Sequence, residues 1–167
     1  MTRGFLRTFT RIAAAGVVMA GLTSAAEAAG SKTADLTVAA SVANNCTIAT
    51  TQLSFGAYDP VGTNATTDAT GSGSVLIACT KGASANIALG NGGGSDANSR
   101  RLASGTNYLP YQLLKDDGSV WGSGAGAVTY NSLSKAPQTM AVQGKIAAGA
   151  DVPAGTYTDT IVATVNF

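Results

Sequence analysis

The sequence contains no histidine, a single tryptophan and few charged residues, and each shortage argues against a class of function. Histidine is the most common general base, so its absence excludes the catalytic triads that depend on it. Two cysteines without histidine cannot supply the ligands of a zinc site. Charged residues make up 11% of the chain and the net charge is +1, so no basic patch indicates nucleic-acid binding. We therefore expect no enzymatic activity, no cofactor, no metal and no small-molecule substrate.

The first 28 residues have the pattern of a secretory signal peptide. Arg3, Arg7 and Arg11 precede an apolar run at 12–22, and AEA at 26–28 is a small-x-small cleavage site. A membrane anchor is the alternative, but this run is too short to cross about 30 Å of hydrocarbon. Removing 28 of the 167 residues leaves 139, enough for one domain with a hydrophobic core.

The two cysteines, Cys46 and Cys79, lie in a chain that is predicted to be exported. In an oxidising compartment a disulfide is the default expectation for such a pair. The chain-entropy model gives roughly 3–4 kcal/mol of stabilisation for a loop of this length. We therefore predict a disulfide between Cys46 and Cys79.

Short β-segments separated by turn residues fill the rest of the chain. The predicted strands are CTIA (46–49), LSFGAY (53–58), GSVLIAC (73–79), ANIALG (85–90), YLPYQLLK (108–115), AVTY (127–130), TMAVQGKI (139–146) and TYTDTIVATVNF (156–167). No helical periodicity is present after the signal peptide. Many short strands with turn signals between them predict an all-β sandwich or barrel.

A further alternating segment, ADLTVAASV (34–42), precedes the first cysteine. Its apolar face consists of Leu36, Val38, Ala40 and Val42. The last predicted strand, 156–167, has an apolar face made of Tyr157, Ile161, Ala163, Val165 and Phe167, with the alternation broken at Asp159 and Val162. Phe167 is predicted to be buried. The pattern alone does not say whether 34–42 pairs within its own domain or with another molecule.

Three polar stretches and the tryptophan could belong to a catalytic or ligand-binding site, but a structural role explains each of them better. DDG at 116–118 predicts a hairpin turn and not a pair of catalytic carboxylates. SDANS (95–99) lacks the spacing and distal Glu of a calcium loop, so we expect a mobile surface loop. GNGGGS (90–95) lacks the lysine of a phosphate-binding loop. Trp121 is expected to pack against the domain and not to bind a sugar.

The order of the segments resembles that of the spore coat protein U domain family, and more narrowly the single-domain subunits of archaic (Csu-type) chaperone–usher pili. The segments that carry the resemblance are LTVAASVANNC, LSFGAYDP, GSVLIACTKGASANIALG, RRLASGTNYLPYQLLKDDGSVWG and KIAAGADVPAGTYTDTIVATVNF. They cover nearly all of the predicted mature chain. The most specific of them are CTKGA, YLPYQLLKDDG and PAGTYTDT.

The resemblance implies an incomplete immunoglobulin-like β-sandwich that is completed by a donor strand from a neighbouring subunit. Residues 1–28 would be the signal peptide, 29–45 the donor segment and 46–167 the pilin domain. The apolar face of 34–42 would fill the groove of a neighbour, and the apolar face of 156–167 would line the acceptor groove. Expected partners are identical or homologous subunits, a periplasmic chaperone and an outer-membrane usher.

The function implied is that of a structural pilus subunit, secreted through the periplasm to the cell surface, where the pilus supports attachment and biofilm formation. A tip adhesin is one alternative, although such proteins usually carry an additional binding domain. The other alternative is a secreted or spore-coat binding module whose sandwich is complete in itself.

Overall fold

The computed structural model describes residues 29–94 and 99–167. The predicted signal peptide and residues 95–98 of the predicted mobile loop lie outside the described residues. The chain divides after Ala39 into two units, and the second, from Ala40 to Phe167, contains all the strands of the described residues. In the described part of the chain, no helix has the length and apolarity needed to cross a membrane.

The described residues of the second unit form eight strands in two antiparallel sheets. The strands are β1 (Cys46–Ser54), β2 (Ala69–Cys79), β3 (Ser84–Leu89), β4 (Arg100–Ser104), β5 (Asn107–Leu114), β6 (Val128–Asn131), β7 (Gln138–Ile146) and β8 (Ala163–Asn166). One sheet has the order β1-β2-β7-β5-β4, and the other has the order β6-β3-β8. The predicted all-β class is confirmed.

Alternating side chains from the two sheets make the core. On β2, Val75 and Ile77 are 1% and 0% exposed, whereas Leu76 between them is 39% exposed. On β3, Ile87 is 0% exposed, and its carbonyl accepts a hydrogen bond of 2.9 Å from Nε1 of Trp121. The prediction that Trp121 packs within the domain is therefore confirmed, since this side chain is 1% exposed.

The predicted strands agree with the structure except in three places. The prediction of a separate strand over 53–58 is wrong, because Leu53 and Ser54 are the end of β1 and residues 55–58 form no strand. No strand is predicted over residues 100–104, yet Arg100–Ser104 forms β4 and pairs with β5. The prediction of one strand over 156–167 is wrong in its first half, because only Ala163–Asn166 is a strand and Thr158 makes an isolated bridge to Ala103. The predicted turn at 116–118 is confirmed by hydrogen bonds between Lys115 and Ser119 and between Gly118 and Lys115.

The predicted disulfide between Cys46 and Cys79 is present. The two residues are direct partners in the pairing of β1 with β2, with their Cα atoms 4.1 Å apart. The bond therefore fixes the first residue of β1 to the last residue of β2.

Reducing this disulfide should lower the free energy of unfolding by about 3–4 kcal/mol, because the unfolded chain loses a covalent loop. Urea unfolding with and without reductant measures the difference. A Cys46→Ala/Cys79→Ala variant is the control, since the reductant should not change its stability. An unchanged free energy of unfolding in the reduced wild-type chain would contradict the prediction.

Candidate functional site

The two outer strands of the smaller sheet, β6 and β8, each have one edge without a partner strand in the described residues. β8 pairs through Ala163–Asn166 with β3, and β3 pairs on its other side with β6. No described strand pairs with the opposite edge of β8. The backbone N–H and C=O groups of an open edge are a template for adding a strand. β8 is thus a strand to which a further strand could be added.

An apolar groove of about 890 Å³ lies beside this part of the domain. Residues 50–58, at the end of β1 and beyond it, form the first wall, and residues 152–161 with Ala163 form the second wall. The floor consists mainly of core side chains: Val75, Leu89, Leu109, Tyr111, Leu113, Val142 and Ile146. The groove therefore opens directly onto the hydrophobic core.

Two glycines allow the first wall to lie close to the larger sheet. Gly71 on β2 pairs directly with Gly144 on β7, and Leu53 lies over this pair. A Cβ atom on Gly144 would be 2.7 Å from Leu53 Cδ2 and 2.7 Å from Phe55 Cε1. The Phe55 ring in turn packs edge-to-face on Tyr111, with the ring centroids 6.0 Å apart. Glycine at these positions therefore helps to define the groove.

Asp159 fixes the second wall. Its Oδ1 accepts hydrogen bonds from the backbone N–H groups of Gly93 at 2.8 Å, Gly94 at 3.4 Å and Thr160 at 2.8 Å. Its Oδ2 accepts one from the Tyr111 hydroxyl at 2.7 Å. Asp159 thus joins the second wall to the floor and to the chain after β3. This function explains why Asp159 interrupts the apolar alternation of the sequence.

A buried arginine completes this polar cluster. Arg100 is 6% exposed, and its guanidinium donates to the carbonyls of Gly90, Leu89 and Trp121, each at 2.8 Å. Burial lowers the pKa of Arg100, and the nearby Tyr111 and Asp159 act in the opposite direction. Burial also raises the pKa of Tyr111, and its hydrogen bond to Asp159 raises it further. The hydroxyl is therefore a neutral donor to the carboxylate at pH 7.

The predicted acceptor residues separate into two groups. Tyr157, Ile161 and Ala163 line the groove, whereas Val165 and Phe167 do not. Val165 is partly buried against the core. The prediction that Phe167 is buried is wrong, because β8 ends at Asn166 and the Phe167 side chain is 56% exposed.

The apolar side chains of the predicted donor segment are exposed to solvent. Residues 29–45 form no strand. Of its apolar face, Leu36 is 86% exposed, and Val38 and Val42 are each 85% exposed. Ala40 is exposed as well. Large aliphatic side chains that alternate and all lie in solvent are unusual in a folded chain, and they are typical of a surface that is covered by a partner.

The two features that shape the groove are not visible in the local pattern of the sequence. The Gly71–Gly144 pair depends on the register of β2 with β7, which no local pattern encodes. The buried Arg100 lies on the strand that was missed, although Asp159 was visible as a break in the alternation. Among the described residues, no group of three or more acidic, cysteine or histidine side chains could hold a metal ion.

Three comparisons with known proteins identify related chains. Residues 32–164 match the family model of the Spore Coat Protein U domain. The chain is 38% identical over 161 residues to Protein U of Myxococcus xanthus, and the match covers 86% of this chain and 89% of that protein. It is also similar, at 26% identity and a TM-score of 0.57, to a chain in the pre-assembly complex of the CsuC chaperone and the CsuE tip adhesion subunit from archaic chaperone–usher Csu pili of Acinetobacter baumannii. That match covers 75% of this chain and 40% of that chain.

Replacing Tyr111 with phenylalanine should lower the free energy of unfolding by roughly 1.5–3 kcal/mol, because the hydroxyl donates to a charged carboxylate in a partly buried site. The matched control is Tyr108→Phe on the same strand, where the ring is 43% exposed and we expect a change within about 0.5 kcal/mol. Urea unfolding of both variants at pH 7 provides the comparison. Equal losses in the two variants would show that the Tyr111–Asp159 hydrogen bond does not stabilise the second wall.

Proposed function

Because the chain belongs to the Spore Coat Protein U domain family, and its fold matches a subunit of an archaic chaperone–usher pilus, we propose that it is a structural subunit of such a pilus. The observation that carries the proposal is the apolar groove beside the open edge of β8. The walls of this opening hold partly buried apolar side chains, among them Phe55, Tyr157 and Ile161, which another strand would cover.

The donor in this proposal is residues 34–42 of a neighbouring copy. Backbone hydrogen bonds to the open edge of β8 would supply affinity, and the alternate side chains Leu36, Val38, Ala40 and Val42 would enter the groove. Full burial of one leucine or valine side chain contributes about 1.5–3 kcal/mol. Because side chains alternate along a strand, a shift of one residue would place the polar face in the groove, so the register is strongly specified.

Donation in one direction produces a linear polymer. Each copy has one donor segment and one groove, and the two are different surfaces of the molecule. Such a heterologous interface propagates into an open fibre unless its rotation closes a ring. A pilus needs this arrangement.

The remaining parts of the proposal concern partners and location. A periplasmic chaperone would cover the groove before assembly, and an outer-membrane usher would export the fibre to the cell surface, where it would support attachment and biofilm formation. The matched solved structure is a chaperone–subunit complex, and this supports the chaperone as a partner.

A secreted or spore-coat binding module is the second candidate, favoured by the family name and by the 38% identity to Protein U. A module of this kind would be a monomer whose groove is closed or holds a ligand, because about 890 Å³ is within the usual range of ligand pockets. The two candidates differ in one property: the pilus subunit polymerises through residues 34–42, whereas the binding module does not.

A Val38→Asp variant should fold but fail to polymerise, because insertion would place an unpaired carboxylate in the groove at a cost of several kcal/mol. The matched control is Thr37→Asp, which adds the same charge to the face that points away from the groove. Electron microscopy and light scattering of secreted material measure fibre formation. Normal fibres from Val38→Asp, or equal loss in both variants, would contradict the donor assignment.

Mixing a donor-defective and an acceptor-defective variant tests the other half of the proposal. Ile161→Asp should block the groove of its own copy and leave its donor segment intact, whereas Val38→Asp leaves the groove intact. Each variant alone should remain monomeric, and the mixture should stop at dimers. Thr164→Asp, on the exposed face of β8, is the control and should still polymerise. Size-exclusion chromatography with light scattering separates these outcomes, and a mixture without dimers would contradict the assignment of the groove.

A further inference from the structure

The turn that follows β2 contacts the base of the predicted donor segment. This turn, residues 80–83, belongs to the CTKGA segment, to which the donor-and-groove arrangement assigns no function. The Thr80 backbone N–H donates to the Asn45 carbonyl at 2.9 Å, and the Asn45 N–H donates to Thr80 Oγ1 at 3.1 Å. The Thr80 hydroxyl donates to the Ala43 carbonyl at 3.2 Å. One threonine therefore holds residues 43–45 through both its backbone and its side chain.

The turn itself is firmly held in place. Gly82 adopts a φ of 86°, a conformation that favours glycine, and its N–H donates to the Ser132 carbonyl at 2.8 Å. The Ser132 side chain is 3% exposed and donates to the Cys79 carbonyl at 3.0 Å. Cys79, which directly precedes Thr80 in the chain, is bonded to Cys46 by the disulfide. The residues on both sides of Thr80 are therefore held in place. Because Thr80 itself is fixed, its hydrogen bonds can hold residues 43–45 in one position.

We propose that Thr80 is a positioning residue that fixes the point at which the donor segment leaves the sandwich. The inference rests on the proposed function, because it concerns how one copy presents its donor to the next. The last donor residue, Val42, directly precedes Ala43, which accepts the Thr80 hydroxyl. The chain between the donor and the sandwich is therefore a short, fixed connection, and neighbouring copies are held at a restricted angle.

The first test is made in the Val38→Asp background, which we expect to remain monomeric, so it does not depend on fibres. In Thr80→Val the Asn45 amide loses its acceptor, so its hydrogen exchange should be at least about tenfold faster, and the backbone order parameters of residues 43–45 should fall. Thr80→Ser keeps the hydroxyl and should restore wild-type exchange. The matched control is Thr47→Val, which removes a nearby threonine hydroxyl that donates to the Ala78 carbonyl at 3.4 Å, and it should leave Asn45 unchanged.

Thr80→Ala replaces Thr80→Val if the valine variant does not fold, as judged by circular dichroism. Unchanged Asn45 exchange and unchanged order at 43–45 in the folded variant would overturn the proposal. Equal effects of Thr80→Val and Thr47→Val would also overturn it, because the effect would then belong to the sheet and not to the connection.

The second test measures the consequence in the fibre. Electron micrographs of Thr80→Val fibres should show a broader distribution of angles between successive subunits than wild-type and Thr47→Val fibres, and Thr80→Ser should restore the narrow distribution. Identical angle distributions in the wild-type fibres and in the fibres of all three variants would overturn the positioning role of Thr80. If the wild-type chain forms no fibres, the proposed function is contradicted and not the role of Thr80. The exchange measurement on the monomer still decides whether Thr80 holds residues 43–45.

Discussion

The structure depends on a sandwich whose core is open along one side. The floor of the groove is made of the same apolar side chains that hold the two sheets together, among them Leu109, Leu113 and Ile146. Beside it, β8 presents backbone groups that no described strand satisfies. The apolar side chains in the groove walls are only partly buried, and the edge of β8 is open. Both are unfavourable in water, and one added strand of matching pattern would cover both. The proposed assembly follows from the absence of one strand at the groove and at the edge of β8.

The groove remains open because the residues around it are fixed by interactions of their own. The Gly71–Gly144 pair lets Leu53 and Phe55 lie close to the larger sheet, and Asp159 ties the second wall to Tyr111 and to the backbone after β3. Arg100 is buried nearby with three carbonyl partners. A buried polar cluster in which every member is satisfied specifies one arrangement of its neighbours. The second wall is therefore fixed by hydrogen bonds and the first wall by packing, and neither needs the donor strand.

Much of the fold could be predicted from the sequence, because short β-type segments are separated by turn residues. The segment GSVLIAC predicted β2, and the pair of cysteines in an exported chain predicted the disulfide. The errors have physical causes. The alternation over 156–167 is broken at Asp159 and Val162. Asp159 accepts hydrogen bonds from backbone N–H groups instead of continuing the apolar face, and the strand begins only at Ala163. β4 was missed because two arginines at its start resemble a solvated loop, although one of them is buried. The exposed donor segment alternates like a strand, but no strand of the described chain pairs with it.

The central claim is that the groove of one copy is filled by residues 34–42 of another copy. Isotope-filtered NMR on fibres assembled from a mixture of two differently labelled populations tests it most directly. The account predicts contacts between the Val38 methyl groups of one population and the Ile161 methyl groups of the other. Contacts between these residues that appear only within a single population would show that each sandwich completes itself, and they would contradict the account.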